Sequence, residues 1–256
     1  MEEIHIVVAT NNNYFKPLVT MLYSLYDHIT SKNLVNIYII DGNISPKNKL
    51  ILKKALSRFK PTLKYLSVNE SLYQNCNAWE HVSKESYYRI SIPDLLDSAI
   101  PKVLYLDCDL IIKDDITKLW NIDIDPYFIA AVEDPNGENR YTDLLFPACS
   151  GHFNSGVMLI NLEKWRNHHI SNKVLQFIKD NPDRILWGDQ DALNAILHDK
   201  WLKLHYKWNF QVFRMSHLVM KPAIIHYNTN IKPWNGITPL QEEYQKYWFL
   251  LKRYLK

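Results

Sequence analysis

The stretch Lys102-Val-Leu-Tyr-Leu-Asp-Cys-Asp-Leu-Ile-Ile-Lys113 constrains this chain more than any other. Four apolar or aromatic residues run straight into Asp107-Cys108-Asp109, and three more apolar residues follow. A run of this length, with Pro101 before it and carboxylates after it, predicts a fully buried central strand. Open α/β sheets bind ligands beyond the carboxyl ends of their strands, which is where these aspartates fall. Alternate residues of extended backbone point to one side, so both carboxylates can face one divalent cation. Without a cation, two unpaired carboxylates at the end of a buried strand repel each other. The spacing alone decides little, because Asp123–Asp125 and Asp189–Asp191 repeat it. Asp123-Ile-Asp125 precedes Pro126 in a polar connection and reads as a turn.

The rest of the chain supplies an α/β frame. Ile4–Ala9, Val35–Ile40 and Lys64–Val68 read as strands. Between them, Leu18, Leu22, Leu25 and Ile29 recur at helical spacing after Pro17. Leu50, Leu52, Leu56 and Phe59 mark a second helix that Ser45-Pro46 caps. Alternation of this kind predicts a parallel, doubly wound start. His81–Ile92 reads as a short loop entering a helix, and Ile116–Trp120 as a helical turn. Phe128–Val132, Val157–Ile160 and Ile224–His226 read as strands. Ser171–Lys179, Gln190–Leu197 and Gln241–Lys256 read as helices. No repeat or linker interrupts the pattern, so one domain over residues 1–256 is expected.

Six glycines serve the whole chain, and none precedes Gly42. The first loop, Thr10-Asn-Asn-Asn-Tyr14, therefore lacks both glycine-rich phosphate cradles, the dinucleotide one and the P-loop. A diphosphate bound here needs a cation instead. The net charge of +3 gives no reason to expect nucleic acid. Cys76, Cys108 and Cys149 lie far apart in an odd count, which fits a reducing compartment without disulfides or a zinc site. The chain enters a strand at once and has no apolar run of roughly 18 residues, so a cytoplasmic protein is expected.

Six blocks together carry a resemblance. They are Val8-Ala-Thr-Asn-Asn-Asn-Tyr14, Ser86-Tyr-Tyr-Arg89, Lys102-Val-Leu-Tyr-Leu-Asp-Cys-Asp109, Phe153-Asn-Ser-Gly-Val-Met-Leu-Ile-Asn-Leu-Glu-Lys-Trp-Arg166, Trp187-Gly-Asp-Gln-Asp191 and His226-Tyr-Asn-Thr-Asn-Ile-Lys-Pro-Trp234. In this order they resemble glycosyltransferase family 8, which includes bacterial lipopolysaccharide galactosyl- and glucosyltransferases and, more distantly, glycogenin. The resemblance implies a GT-A fold: a Rossmann-like α/β domain whose mostly parallel central sheet is flanked by helices. It also implies a retaining, Mn2+-dependent hexosyltransferase, with Mg2+ as the other candidate cation. The donor would be UDP-glucose or UDP-galactose, and the acceptor a saccharide, glycolipid or glycoprotein.

Carried over position by position, the resemblance gives Asp107, Asp109 and His226 as metal ligands. It gives Ala9, Thr10, Asn11, Asn13, Tyr14, Asp107, Cys108 and Lys232 to the nucleotide. Arg89, Asn154, Asp189 and Gln190 fall to the donor sugar, with Gln190 and Asp189 as the catalytic pair, and Asp134 to the acceptor. Many relatives have aspartate at the position of Asn11, but an amide offers a uracil edge both a donor and an acceptor. Thr229 stands where the family commonly has glycine.

Bland readings stand beside several of these assignments. Without the resemblance, Arg89 is as easily a surface arginine, and His226 a core histidine at a strand end. Asp189 and Gln190 also suit the first turn of a helix. The 240–256 segment reads as a helix whose apolar stripe at 244, 247, 248, 251 and 255 packs on the domain. Its aromatic and basic residues equally suit peripheral contact with the inner face of the cell membrane. Two other functions fit parts of the pattern: an inert nucleotide-sugar-binding subunit and a metal-dependent nucleotidyltransferase. The full ligand set and Gln190 argue against the first, and the missing glycine-rich loop against the second.

Overall fold

The computed structural model describes residues 3–30, 35–74, 76, 83–147, 150–213 and 221–255. His81, Val82, Cys149 and Lys256 lie outside these residues. Strands β1 (Ile4–Asn11), β2 (Val35–Gly42) and β3 (Thr62–Leu66) alternate with α1 (Phe15–His28) and α2 (Pro46–Ala55). The Ser45 side chain accepts from Asn48 N–H and caps α2, with Pro46 in its first turn. Phe59 falls beyond α2, in a 3-10 turn over Ser57–Phe59. The block around Arg89 is a longer 3-10 segment, Lys84–Ser91, leading into α3 (Ile92–Leu95).

Strand β4 (Lys102–Leu106) is the buried central strand that its apolar run predicts. The chain continues through β5 (Leu110–Ile112), α4 (Thr117–Trp120), β6 (Ile129–Glu133), α5 (Tyr141–Leu144) and β7 (Phe153–Asn161). Then come α6 (Leu162–Asn167), α7 (Ile170–Asp180), α8 (Asp189–Leu197), β8 (Trp201–Lys203), β9 (Phe210–Gln211), β10 (Ile224–His226) and α9 (Gln241–Leu255). Seven strands form one sheet in the order β3-β2-β1-β4-β7-β6-β8, and β5-β10-β9 form a second. Within the large sheet only β7 runs against its neighbours β4 and β6; the other pairs are parallel. Side chains alternate between two core layers: Ile6, Val8 and Leu104 face α1, while Val7, Val103 and Tyr105 lie with residues of α7 and α8.

The reversal of β7 brings its first residues beside the carboxyl end of β4, and Leu106 pairs with Val157. The β6–β7 register then breaks, because Ala131 pairs with Met158 but Val132 with Asn154. Ser155, Gly156 and Val157 are thereby left without partners on β6. At the other end of the chain, Tyr244, Tyr247 and Leu251 of α9 are buried. The Tyr247 ring lies 6.1 Å from that of Tyr23 on α1, so these three residues of the apolar stripe pack inward.

Candidate active site

Asp107 and Asp109 occupy the turn where the chain leaves β4 for β5, and so passes from the large sheet to the small one. His226 ends β10, whose antiparallel pairing with β5 sets it opposite Leu110. One ligand atom from each of the three lies within 4.8 Å of the others. His226 Nε2 is 3.3 Å from Asp109 Oδ1 and 3.8 Å from Asp107 Oδ2. A Cβ added to Gly156 would stand 2.3 Å from His226 Cε1 and 2.7 Å from Asp107 Oδ2. Glycine therefore keeps this cradle open. Two carboxylates and one imidazole, converging without a Cβ between them, suit a divalent cation.

Lys232 closes one side of the cluster. Its Nζ donates to Asp109 Oδ2 at 2.7 Å and to the Tyr227 carbonyl at 2.7 Å. Burial pushes the Asp109 carboxyl up, but Lys232 and then His226 outweigh it and hold it well below the usual carboxylate range.

Arg89 is no surface arginine; it is 3% exposed. Its guanidinium lies 3.1 Å from Asp107 Oδ1 and 2.9 Å from Asp189 Oδ2, and donates to the Ser155 carbonyl at 2.6 Å. The guanidinium carbon sits 4.4 Å from the centroid of the Tyr105 ring. Asp189 is raised to about 6: burial pushes it up, Arg89 pulls it down, and the Asp107 charge pushes it up again.

A web of amides lies beside this pair. Gln190 Oε1 accepts from Asn154 Nδ2 at 3.1 Å and from Ser155 N–H at 3.1 Å. Gln190 Nε2 donates to Asp134 Oδ2 at 3.2 Å, and Asn154 Nδ2 reaches the same oxygen at 3.3 Å. Each member is nine-tenths or more buried. Asp189 and Gln190 also open α8, so the helix-start reading and the site reading describe the same residues.

The loop after β1 completes the surroundings. Asn11 Oδ1 accepts from the backbone N–H of Asn13 at 2.9 Å and of Tyr14 at 3.2 Å. Its carbonyl is thus committed to the start of α1, and a contact with a base would fall to Nδ2. The Cys108 thiol donates to the Ala9 carbonyl at 3.4 Å, and burial pushes its pKa up. A cavity of about 1010 Å³ opens among these residues. Every site residue named from the sequence lines it except Asn13, which is exposed and shapes the loop through its backbone.

Comparison with known proteins resolves what this cavity belongs to. Residues 5–238 match the model of the family described as "Glycosyl transferase family 8". The chain belongs to glycosyl transferase family 8. General stress protein A of Bacillus subtilis is 39% identical, over 96% of this chain and 93% of that protein. Glycosyltransferase GlyF of Streptococcus pneumoniae is 30% identical over 93% of this chain, which spans 59% of GlyF. The galactosyltransferase LgtC, solved with donor and acceptor sugar analogues, shares the fold at a TM-score of 0.88. It is 24% identical, over 95% of each chain. Family membership makes this chain a glycosyltransferase with a GT-A fold, and the acidic Asp107–Asp109–His226 cluster is a group that could hold a divalent metal.

Within this family frame, the structure adds residues that the sequence reading missed. Tyr105 reads from sequence as one more apolar strand residue, yet its hydroxyl donates to Asp107 Oδ1 at 2.8 Å. Gly156 abuts His226 and Asp107, Asn209 lies 2.9 Å from His226 Nδ1, and the Ser155 hydroxyl accepts from Arg89 at 3.2 Å. Thr229, where the family commonly has glycine, spends its hydroxyl on the Ile231 carbonyl at 2.9 Å, within its own loop.

Proposed function

We propose that this chain is a retaining, Mn2+-dependent hexosyltransferase that uses UDP-glucose or UDP-galactose. The observation carrying the proposal is the convergence of Asp107, Asp109, His226 and Lys232 on one wall of the cavity that Gln190 also lines. The imidazole among oxygen donors favours Mn2+ over Mg2+. A cation held by the two aspartates and His226 supplies charge neutralisation for the departing diphosphate. Lys232, already beside Asp109, adds a second positive charge on the same side. The loop Ala9–Tyr14 with Cys108 receives the uridine, while Arg89, Asn154 and Asp189 orient the hexose.

Retention, which the family resemblance implies, would be achieved here without an enzyme nucleophile. The Gln190 carbonyl is held by Asn154 and Ser155, and Asp189 is held by Arg89. Neither is free to attack the sugar as a nucleophile. The acceptor hydroxyl instead attacks the anomeric carbon from the face that the diphosphate leaves. The bond from that carbon to the phosphate oxygen breaks, the bond to the acceptor oxygen forms, and the acceptor proton passes to the diphosphate. Gln190 stabilises positive charge at the sugar as the first bond lengthens.

The acceptor is a saccharide or glycoconjugate, and the cavity rim favours one with an apolar part. Leu186, Phe213, Ile231 and Ile237 line the cavity yet are 38–90% exposed, apolar side chains that a glycolipid would meet at its rim. Among the described residues no helix is long and apolar enough to cross a membrane. A cytoplasmic enzyme in peripheral contact with the membrane suits both facts. The exposed Phe249 and Leu250, beside Lys246, Lys252 and Arg253, would supply that contact.

The test is a panel of UDP-hexoses with Mn2+, scored by UDP release with and without acceptors. Turnover should vanish in EDTA. Gln190→Ala should keep UDP affinity by calorimetry and lose roughly tenfold or more in turnover, about 1.4 kcal/mol. A protein that binds UDP tightly but turns over no donor would instead be a binding subunit for a partner enzyme.

A further inference from the structure

The Asp107–Asp109–His226 group has a supporting chain that no sequence motif marks. Asn209 closes a short 3-10 turn, Tyr206–Asn209, directly before β9. Because β9 pairs in parallel with β10, Gln211 lies opposite His226, and Asn209 comes to the back of the imidazole. Asn209 is 0% exposed and makes two side-chain contacts. Its Oδ1 is 2.9 Å from His226 Nδ1, and its Nδ2 is 2.8 Å from Asn154 Oδ1.

The direction of each bond is forced from the far end. The Gly156 backbone N–H, which only donates, points at Asn154 Oδ1 at 3.0 Å. The Asp134 carboxylate, which only accepts when ionised, faces Asn154 Nδ2 at 3.3 Å. Asn154 is thus anchored at both ends and cannot be flipped. Its Oδ1 therefore meets the amino group of Asn209, and the carbonyl of Asn209 meets His226. The partner of a carbonyl is a donor, so the proton of the neutral imidazole sits on Nδ1. In that neutral form, Nε2 keeps its lone pair, 3.3 Å from Asp109 Oδ1 and 3.8 Å from Asp107 Oδ2.

We propose that Asn209 is a positioning residue that fixes His226 in the Nδ1–H tautomer and aims Nε2 at the metal position between Asp107 and Asp109. The proposal rests on the reading of this cluster as a metal site. Outer partners that fix a ligating imidazole in this way commonly govern metal affinity. Here the setting travels from the β7 backbone through two asparagines to the small sheet. The wall that carries Asn154 and the wall that carries His226 are thereby one hydrogen-bonded unit.

Nitrogen-15 NMR of histidine-labelled protein reads the tautomer directly, with the His226 signals assigned by their loss in His226→Gln. Metal-free protein at about pH 9, above the ordinary imidazole range, and Mg2+-loaded protein should both show a protonated Nδ1. Calorimetry with Mn2+ gives the second readout. Asn209→Leu should move the neutral proton toward Nε2 and weaken Mn2+ binding by roughly 10- to 100-fold. Asn209→Asp gives up the donor to Asn154 Oδ1 but keeps an acceptor behind Nδ1, and should rescue the tautomer. A protonated Nε2 in the unmutated protein overturns the proposal even if neither variant folds. So does an Asn209→Leu protein with unchanged tautomer and unchanged Mn2+ affinity. If the unmutated protein binds no Mn2+ while its tautomer is as described and Asn209→Leu reverses it, the relay stands and the metal reading falls.

Discussion

Asp107-Cys-Asp109 and Asp189-Gln-Asp191 share a spacing and differ in almost every contact. In the second triplet, Asp191 is 0% exposed, and its Oδ2 alone accepts from Leu186 N–H at 2.7 Å, Trp187 N–H at 2.7 Å and Arg140 Nη2 at 2.9 Å. Donors surround that carboxylate, and they bind the loop before α8 to the segment that carries Arg140. In the first triplet, Asp107 and Asp109 turn oxygens toward each other and toward the bare face of His226. A carboxylate saturated by donors holds a fold together; in the first triplet one oxygen of each aspartate is held, by Tyr105 and Arg89 or by Lys232, and the other is turned to His226 Nε2. Asp189, paired with Arg89 and lining the same cavity, stands between the two cases.

The largest effect should come from the first triplet. Asp109→Asn removes a ligating charge but keeps an acceptor for Lys232. Turnover with UDP-hexose and Mn2+ should fall by more than about 1000-fold, near 4 kcal/mol, with a small change in thermal midpoint. Next, Asp191→Ala should behave in the opposite way. It removes a buried acceptor from Arg140, which keeps Asp143, and from the Leu186 and Trp187 N–H groups, and should cost about 3 kcal/mol of stability in urea unfolding, while the folded fraction binds Mn2+ unchanged. An exchange of these two phenotypes would erase the distinction between the triplets.

The smallest effect belongs to Asp189. Its folded carboxyl, raised to about 6 from 3.8, holds a proton more tightly than the unfolded chain does. Lowering the pH from 7 toward 4 therefore favours the fold through this group, and the gain is lost again as the pH rises through about 6. Asp189→Asn should lack that gain, so its stability relative to the unmutated protein should worsen by about 2 kcal/mol between pH 7 and 4. Parallel stability curves for the two proteins over this interval would refute the assignment.

Much of this was legible in the sequence, for identifiable reasons. Helical and strand periods mark β1 through β3, and the apolar run marks β4, because burial on both faces leaves a continuous pattern. Asp123–Asp125 is the turn that its polar setting predicts, with Asp125 N–H donating to Asp123 Oδ1 at 2.9 Å. The reversal of β7 was not legible, since a strand buried throughout has the same pattern in either direction. Asn209 was not legible either: a lone asparagine in a short turn has no period. Tyr105 was counted correctly as core, but its hydroxyl acts one step beyond the strand it belongs to.

The broken register between β6 and β7 limits how this chemistry is moved to another scaffold. The three residues of β7 left off the β6 ladder include Ser155, whose carbonyl does other work. Ser155 offers it to Arg89 at 2.6 Å, while Gly156 still accepts from the Asp107 N–H at 2.9 Å, one step beyond the last β4–β7 pair. On an evenly paired strand, groups of this kind are spent on the neighbouring strand. Grafting Asp107, Asp109, Arg89 and His226 onto an idealised sheet would reproduce the side chains and lose their anchors. A transplant has to carry the irregularity with it, three unmatched residues included.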